Sequence, residues 1–303
     1  MIKWMKYRFV YLGISLFFLF AGLFGVLRWG LKLGVDFTGG AVVEYKFKNS
    51  ISTEDISKKL SEKGFSVNSI QKAGEDNYLF KFPPIEREEK EKVTLALEEM
   101  LGSKVEELRF ENVGPSIGPE LIKKTFIAML LSTVVILLWV AFQFKSIKFG
   151  TSAILAMIHD SLILIGVFSL LGHFFDAEID FLFVTALLTT LSFSVHDTIV
   201  VYDRIREYQK KEGGDLKNLA DKAISETMVR SLNNSFTILF MLIALILLGG
   251  STVKWFAAAL LIGTVAGTYS SPFVAVSLLV SLDELGSKLK NGKKLFQFLK
   301  SRK

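Results

Sequence analysis

Long apolar runs separated by short charged stretches limit what this 303-residue chain can fold into. The first run extends from Tyr7 to Val26, and about 20 apolar residues are enough to cross a hydrocarbon core of about 30 Å. A chain that is 50% hydrophobic and contains 27 phenylalanines cannot readily present a water-facing exterior. We therefore predict a polytopic α-helical membrane protein with six transmembrane helices, at residues 7–29, 125–144, 150–172, 179–202, 235–249 and 255–280.

The distribution of lysine and arginine predicts how the chain is oriented. Basic residues are concentrated between the second and third runs, between the fourth and fifth, and in the C-terminal tail, whereas the alternating connections carry few. Under the positive-inside rule, both termini are cytoplasmic and the segment after the first run is extracytoplasmic. This pattern accounts for the net charge of +6 without a nucleic-acid partner. We predict a multi-pass protein of the cell inner membrane whose insert is periplasmic.

These patterns divide the chain into four parts. The first run has no convincing small-residue cleavage site, so we expect a retained anchor rather than a cleaved signal peptide. The predicted parts are transmembrane helix 1 at 7–29, an extracytoplasmic α+β domain at 30–122, transmembrane helices 2–6 at 123–282, and a basic cytoplasmic tail at 283–303.

The insert is predicted to have the element order β-α-β-β-α-β. Alternating or apolar stretches typical of strands occur at 41–47, 66–71, 78–82 and 105–110, and amphipathic stretches typical of helices at 52–63 and 86–101. This order predicts a ferredoxin-like α+β domain. The insert contains no histidine and no Ser/His/Asp set, so we expect a binding or mechanical domain and no enzyme activity.

Two glycine-containing segments flank the insert, at 34–40 and 113–121. Neither matches a phosphate-binding loop such as GxGxxG. Glycine permits unusual φ values and proline fixes φ, so both segments are predicted to be turns that act as hinges between the domain and the membrane. The residues assigned to these hinges are Gly34, Asp36, Gly39, Gly40, Gly114, Pro115 and Gly118.

Ionisable residues inside membrane spans are costly and mark functional sites by default. The third span contains His159-Asp160, the fourth contains His196-Asp197, and Arg230 stands at the start of the fifth. The alternative role for each histidine is that of a core residue bonded to backbone or hydroxyl groups. The alternative for Arg230 is a side chain that extends to the cytoplasmic interface. The aspartates have no comparable alternative, because a carboxylate in an apolar environment needs a partner.

The two aspartates predict a proton relay. Asp197 and Arg230 on neighbouring helices would form a carboxylate–cation pair, and hydroxyl and amide side chains nearby would carry a hydrogen-bonded water chain. The residues predicted to form this relay are Asp197, Arg230, Asp160, His196, His159 and Asn234. The chain has three histidines and no cysteine, so we expect neither a metal site nor a cofactor.

Five sequence blocks resemble the SecF family, whose members pair with SecD in the SecDF protein-export complex and are related to the RND transporters. The blocks are GVDFTGG at 34–40, VGPSIGPEL at 113–121, AMIHDS at 156–161, SFSVHDTIVVYDRIRE at 192–207 and ETMVRSLNNSFT at 226–237. The chain departs from the family pattern at Asn233-Asn234, where members commonly have a threonine-containing pair.

This resemblance implies a role in late Sec-dependent translocation driven by the proton motive force, with Asp197 and Arg230 linked to proton passage. The implied partners are SecD, the SecYEG translocon, a translocating preprotein and the lipid bilayer, with YajC as a further candidate. Two alternatives stay open: an RND-type proton-coupled exporter half for small molecules or lipids, and a passive assembly factor of the translocon.

Overall fold

The described part of the chain contains ten α-helices and four strands. The computed structural model describes residues 2–48, 51–74, 76–114, 117–144 and 146–300. In chain order the helices are α1 (Arg8–Trp29), α2 (Val35–Thr38), α3 (Thr53–Glu62), α4 (Arg87–Leu101), α5 (Ile117–Phe144), α6 (Ile147–Phe175), α7 (Phe181–Lys211), α8 (Leu216–Leu248), α9 (Ser251–Ser270) and α10 (Val276–Lys300). The strands are β1 (Gly40–Lys46), β2 (Ser69–Lys72), β3 (Asn77–Phe82) and β4 (Glu106–Val113).

Six segments of this structure are long and apolar enough to cross a membrane, as predicted. They are Trp4–Trp29, Gly118–Val140, Ile147–Phe175, Phe181–Lys211, Leu216–Leu248 and Val253–Lys288. Large apolar side chains such as Phe17, Leu138 and Phe240 are exposed on the outside of the bundle, where lipid rather than water is the solvent. We call the end of the bundle near the inserted domain the domain side, and the opposite end the tail side.

The inserted domain, residues 40–113, contains one four-stranded sheet with two helices. The strand order is β2-β3-β1-β4 and the neighbouring strands are antiparallel, with Ala41 opposite Phe82. This is the split βαβ arrangement that the element order predicts. Val43, Tyr45 and Phe80 point from one face into a core with α3 and α4. Because side chains alternate along a strand, Lys81 points from the other face.

Small residues allow the spanning helices to approach closely. A Cβ added at Gly22 of α1 would lie 2.8 Å from the Cα of Gly166 in α6. A Cβ added at Gly263 of α9 would lie 2.3 Å from Cγ2 of Thr190 in α7. Such small-residue contacts are how membrane helices pack without a hydrophobic driving force. These contacts hold α6, which carries Asp160, close to α1, and α7, which carries Asp197, close to α9.

The fifth and sixth spans extend beyond their predicted limits. The prediction of 235–249 for the fifth span is too short, because α8 begins at Leu216 and Ala220, Ala223 and Ile224 are buried against the rest of the tail side. Between α9 and α10, residues Ser271–Ala275 form a π-helical turn. Proline at position 272 lacks the N–H that a regular helix would use there.

Candidate functional site

A buried carboxylate connects three spanning helices near the middle of the bundle. Asp160 of α6 is 5% exposed, and its Oδ2 accepts hydrogen bonds from Ser194 Oγ of α7 at 2.5 Å and from Ser270 Oγ of α9 at 2.6 Å. Its Oδ1 lies 2.9 Å from Nδ1 of His159. A buried carboxylate is tolerated when it is hydrogen-bonded in this way. The packing of α6, α7 and α9 thus depends on polar contacts as well as apolar ones.

The second carboxylate, Asp197, lies on α7 about one turn beyond Ser194, toward the tail side. Asp197 is half-buried, and its Oδ2 accepts a hydrogen bond from Ser231 Oγ of α8 at 2.7 Å. Because residues three apart on a helix are neighbours, Asp197 lies next to Ser194. Asp197 also lines a cavity of about 30 Å³ between α7, α8 and α9. The other polar residues of this lining are Ser194, His196, Asn234, Ser235, Thr264 and Thr268.

The predicted pairing of Asp197 with Arg230 is not found. Arg230 lies well inside α8 rather than at a helix start, and its side chain is exposed. Among the described residues, no ion pair joins it to Asp197. Successive residues of a helix are rotated by about 100°, so the position that faces Asp197 is taken by Ser231. The geometric part of the prediction is therefore wrong, while the role of Arg230 stays a prediction.

The other predicted relay residues fall into two groups. His196 and Asn234 line the same cavity as Asp197, although both residues are exposed on the outside of this chain. His159 is 8% exposed, and its Nδ1 is hydrogen-bonded to Asp160. Ser194, which is outside the predicted set, connects the two groups because it lines the cavity and donates to Asp160. The relay function of these residues stays a prediction.

Several polar partners in the site were not singled out from the sequence. Ser231 and Ser270 bond the two aspartates, and Thr264 lines the cavity. The stretch Ser270-Ser271-Pro272 indicates a polar irregularity within a span, because two serines followed by a proline interrupt an apolar run. Ser231 and Thr264 carry no such signal, because their role depends on which helix face packs inward.

The connector, residues 33–39, is bonded to the start of α7. Gly34 N donates to Ile179 O at 2.8 Å, and Asp36 Oδ2 accepts from the backbone N–H of Phe181 at 3.0 Å. The ring of Phe37 is 6% exposed and packs against Phe181 with centroids 5.2 Å apart. We call these contacts the clasp. They attach the entrance of the inserted domain to the helix that carries Asp197.

The second predicted hinge also has a fixed structure. Gly118 lies in the first turn of α5, so the turn conformation expected there is wrong. A Cβ at this position would lie 2.6 Å from the carbonyl oxygen of Phe37, and glycine allows this close approach. Gly114 lies between β4 and α5, and Pro115 lies outside the described residues. Gly39 and Gly40 adopt positive φ of 75° and 133°, a conformation that favours glycine, where the connector enters β1.

Acidic residues surround the clasp on the domain side. Lys81 of β3 pairs with Glu178 at 2.5 Å, with both side chains largely buried, and Lys32 pairs with Asp176 at 2.6 Å. Asp180 caps α7 by accepting from the N–H of Phe183 at 2.8 Å. Burial raises the pKa of Asp180 above its ordinary value, and the charges of Asp36 and Glu178 add to the rise, while the bond from Phe183 opposes it.

We expect Asp180→Asn to stabilise the protein near pH 7. A raised pKa means that folded Asp180 binds protons more readily than the unfolded chain, so its contribution to stability increases as pH falls through the raised pKa. Asparagine keeps an acceptor for Phe183 and removes the unfavourable charge. Thermal unfolding followed by tryptophan fluorescence should give a higher Tm for the variant near pH 7 and a smaller difference near pH 4.

The matched control is Asp176→Asn, because the side chain of Asp176 is 62% exposed. Its Tm difference from the wild type should change little over the same pH range. A Tm of Asp180→Asn below that of the wild type near pH 7 would contradict the expected sign.

No group of three His, Asp or Glu side chains in the described ranges is arranged to hold a metal ion. The carboxylates at Asp160 and Asp197 instead have hydroxyl partners. Hydroxyl groups both donate and accept hydrogen bonds.

Two family models match this sequence. The model described as protein export membrane protein SecD/SecF, C-terminal, matches residues 92–285. The model described as SecD/SecF GG motif matches residues 30–51, which include the connector. The two matches cover both domain junctions and the spanning helices α5 to α9.

Similar proteins and structures cover nearly the whole chain. A protein translocase subunit SecF from Thermobaculum terrenum is 40% identical over 93% of this chain and 94% of its own length. Another from Sebaldella termitidis is 36% identical over 97% of this chain and 96% of its own. The crystal structure of SecDF from Thermus thermophilus, a translocon-associated membrane protein, superposes with a TM-score of 0.83 at 33% identity. That match covers 93% of this chain and 39% of the SecDF chain.

Proposed function

We propose the function of this chain from one premise: it belongs to the SecF family of protein translocase subunits. The chain is a membrane protein with a role in protein export. In the SecDF relative, the part similar to this chain occupies 39% of a longer polypeptide that is named for both subunits. This supports an assembly in which the chain associates with a SecD subunit.

We propose further that export by this assembly uses the proton motive force. The observation that carries this proposal is the presence of two carboxylates, Asp160 and Asp197, inside spanning helices. Ionisable groups at such depth are costly and typically mark ion or proton pathways. Ser194 lies between them and contacts Asp160 directly. Protonation of Asp197 would change its bond with Ser231 and so the contact of α7 with α8.

The movement of α7 would reach the inserted domain through the clasp. Asp36 holds the domain-side end of α7, and Lys81 of the sheet pairs with Glu178 immediately before that helix. The connector therefore acts as a link between α7 and the domain. Preprotein on the domain side of the membrane would experience the resulting displacement.

Exposed polar residues in the spanning region support the proposal of a partner surface for SecD. His196, Arg230 and Asn234 are exposed on α7 and α8 of this chain, and polar side chains at such positions seldom face lipid. We propose that SecD covers this surface and completes the proton path. The proposed further partners are SecYEG, YajC and the translocating preprotein.

The proposed location is the cell inner membrane, with both termini cytoplasmic and the inserted domain periplasmic. Support comes from the basic residues on the tail side, including Lys148, Arg204 and Lys222. The proposed role is that of a transport subunit without enzyme activity, metal or cofactor.

Export in membrane vesicles that lack native SecD and SecF tests the proposal. Vesicles that contain this chain with SecD should translocate a preprotein faster than vesicles without them when a proton gradient is imposed. An ionophore that collapses the gradient should remove the difference. Equal stimulation with and without the gradient would contradict proton coupling, and no stimulation would contradict the role in export.

A further inference from the structure

We propose that a groove between the inserted domain and the domain-side end of the bundle binds the headgroup of a phospholipid that carries both a phosphate and a primary ammonium group. The groove has a volume of about 610 Å³, and sites for small molecules typically measure about 300–1,000 Å³. Its walls are the connector, the sheet, and the domain-side ends of α6, α7, α8 and α9. The inference concerns lipid binding and goes beyond the proposed role in export.

The edge of the groove is continuous with the lipid-facing surface of the bundle. Phe175 at the end of α6 and Leu247 near the end of α8 both line the groove, and they are 66% and 75% exposed. Both belong to segments that are long and apolar enough to cross a membrane. Trp255, near the start of α9, also lines the groove, and tryptophan is enriched where hydrocarbon meets headgroups. The groove therefore adjoins the headgroup layer, and its apolar edge adjoins acyl chains.

Lys254 offers a positive charge to a phosphate in this groove. It lines the groove and is exposed, and its Nζ lies 5.3 Å from the centroid of the Trp255 ring. Within the described ranges it takes part in no ion pair, unlike Lys81. Trp255 packs against the apolar cluster that contains Phe37, so Lys254 is placed beside the clasp. A lysine ammonium is a common phosphate ligand in proteins.

Four other charged side chains of the groove are already paired with one another. Lys81 pairs with Glu178 at 2.5 Å, and Arg109 pairs with Glu111 at 2.5 Å. An ion that already has an opposite charge beside it attracts a ligand less, because the two fields largely cancel. These pairs therefore shape the walls of the groove and leave recognition of a charged headgroup to other residues.

Two carboxylates in the groove favour a cation. Asp36 and Asp180 line it, and they accept hydrogen bonds from the backbone N–H groups of Phe181 and Phe183. Neither carboxylate is joined to a lysine or arginine in the described part of the chain. Burial raises the pKa of Asp180, and the charge of Asp36 raises it further, so the two groups are close enough to repel each other. A primary ammonium group would offset this repulsion and can donate three hydrogen bonds.

This combination of charges favours phosphatidylethanolamine over other phospholipids. Its phosphate would bind Lys254, and its ammonium group would bind Asp36 and Asp180. Phosphatidylglycerol has the phosphate alone, and the trimethylated ammonium of phosphatidylcholine has no N–H to donate. Hydrogen bonds between charged groups are about twice as strong as neutral ones, so phosphatidylethanolamine should bind more tightly than either.

Native mass spectrometry of the purified full chain with the three lipids, matched in acyl chains, tests the inference. We expect phosphatidylethanolamine to bind about tenfold more tightly than the other two. Lys254→Gln should weaken its binding about tenfold, because one charged hydrogen bond is lost. Lys123→Gln is the matched control, since Lys123 is an exposed residue near the start of α5 and does not line the groove. Equal binding of all three lipids, or wild-type binding by Lys254→Gln, would overturn the inference.

A second variant and two competitors identify the occupant. Asp180→Asn should weaken binding of phosphatidylethanolamine and leave that of phosphatidylglycerol unchanged, whereas equal weakening of both lipids would contradict an ammonium site. Glycerophosphoethanolamine, which lacks acyl chains, should fail to displace the lipid. Displacement by this soluble compound would assign the groove to a free phosphate ester, and displacement by an unfolded preprotein peptide would assign it to preprotein. Either displacement would overturn the lipid site.

Discussion

Asp197→Asn is expected to abolish the part of protein export that depends on the proton gradient. Asparagine has nearly the same shape as aspartate and can still accept the hydrogen bond from Ser231, but it cannot take up a proton. Removal of a proton-transfer group typically costs about 100-fold or more in rate. Export in vesicles with an imposed gradient should therefore fall to the level measured after an ionophore is added. The amount of inserted protein and its Tm should be nearly unchanged.

Asp203→Asn provides the matched control. Asp203 lies on the same helix toward the tail side, its side chain is 52% exposed, and it pairs weakly with Arg206 at 3.4 Å. An exposed pair of this kind contributes about 0–1 kcal/mol, so the variant should export at the wild-type rate. Wild-type export by Asp197→Asn would show that this carboxylate is not a proton carrier. Loss in both variants would indicate a general effect of charge on α7.

The spanning helices and the inserted domain were predictable because each has a strong local pattern. Apolar runs of about 20 residues identify membrane spans directly, and the alternation in β1 and β3 identifies strands. The start of α8 was not predictable in this way. Residues 216–234 are rich in polar groups, and Ala220 and Ile224 of this stretch belong to one buried apolar cluster with Tyr202 and Ile205. Hydropathy detects lipid contact and misses this contact between helices.

The site was predictable as a set of residues but not as a set of contacts. His159-Asp160 and His196-Asp197 stand out because charge is rare inside a span. Their partners depend on helix rotation, which a single sequence does not fix. A shift of one residue on α8 exchanges Ser231 for Arg230 opposite Asp197. The hydroxyl of Ser270 likewise reaches Asp160 from a helix more than 100 residues away in the chain.

The clasp changes how coupling between the membrane and the domain should be understood. A flexible hinge would absorb a movement of α7, whereas the proposed coupling would pass that movement through the bonds at Gly34 and Asp36. Phe37 is buried in one apolar cluster with Phe183 and Leu187 of α7, which adds an apolar contact to the hydrogen bonds. The chain leaves this contact and enters β1 within three residues. A displacement of the domain-side end of α7 would therefore move the sheet directly.

Asp36→Ala is expected to lower protein export while proton uptake continues. The substitution removes the acceptor for the Phe181 N–H at the start of α7, and leaving a part-buried donor unsatisfied costs about 1–3 kcal/mol. We expect gradient-dependent export to fall about tenfold, which corresponds to about 1.4 kcal/mol of lost coupling. Proton uptake into vesicles, followed with a pH-sensitive dye, should persist because Asp197 and Asp160 are unchanged. The paired measurement distinguishes loss of coupling from loss of the proton path.

Two further variants test whether loss of the hydrogen bond between Asp36 and Phe181 causes the fall in export. Asp36→Asn keeps an oxygen acceptor at the same position, so it should retain most of the export rate. Asp55→Ala makes the same change at an exposed position in the first turn of α3 and should have no effect on export. Equal loss in Asp36→Asn and Asp36→Ala would assign the effect to the charge near Asp180 and Glu178. Wild-type export by Asp36→Ala would show that the clasp does not transmit the movement of α7, and Lys81 with Glu178 would remain as the link between the helix and the sheet.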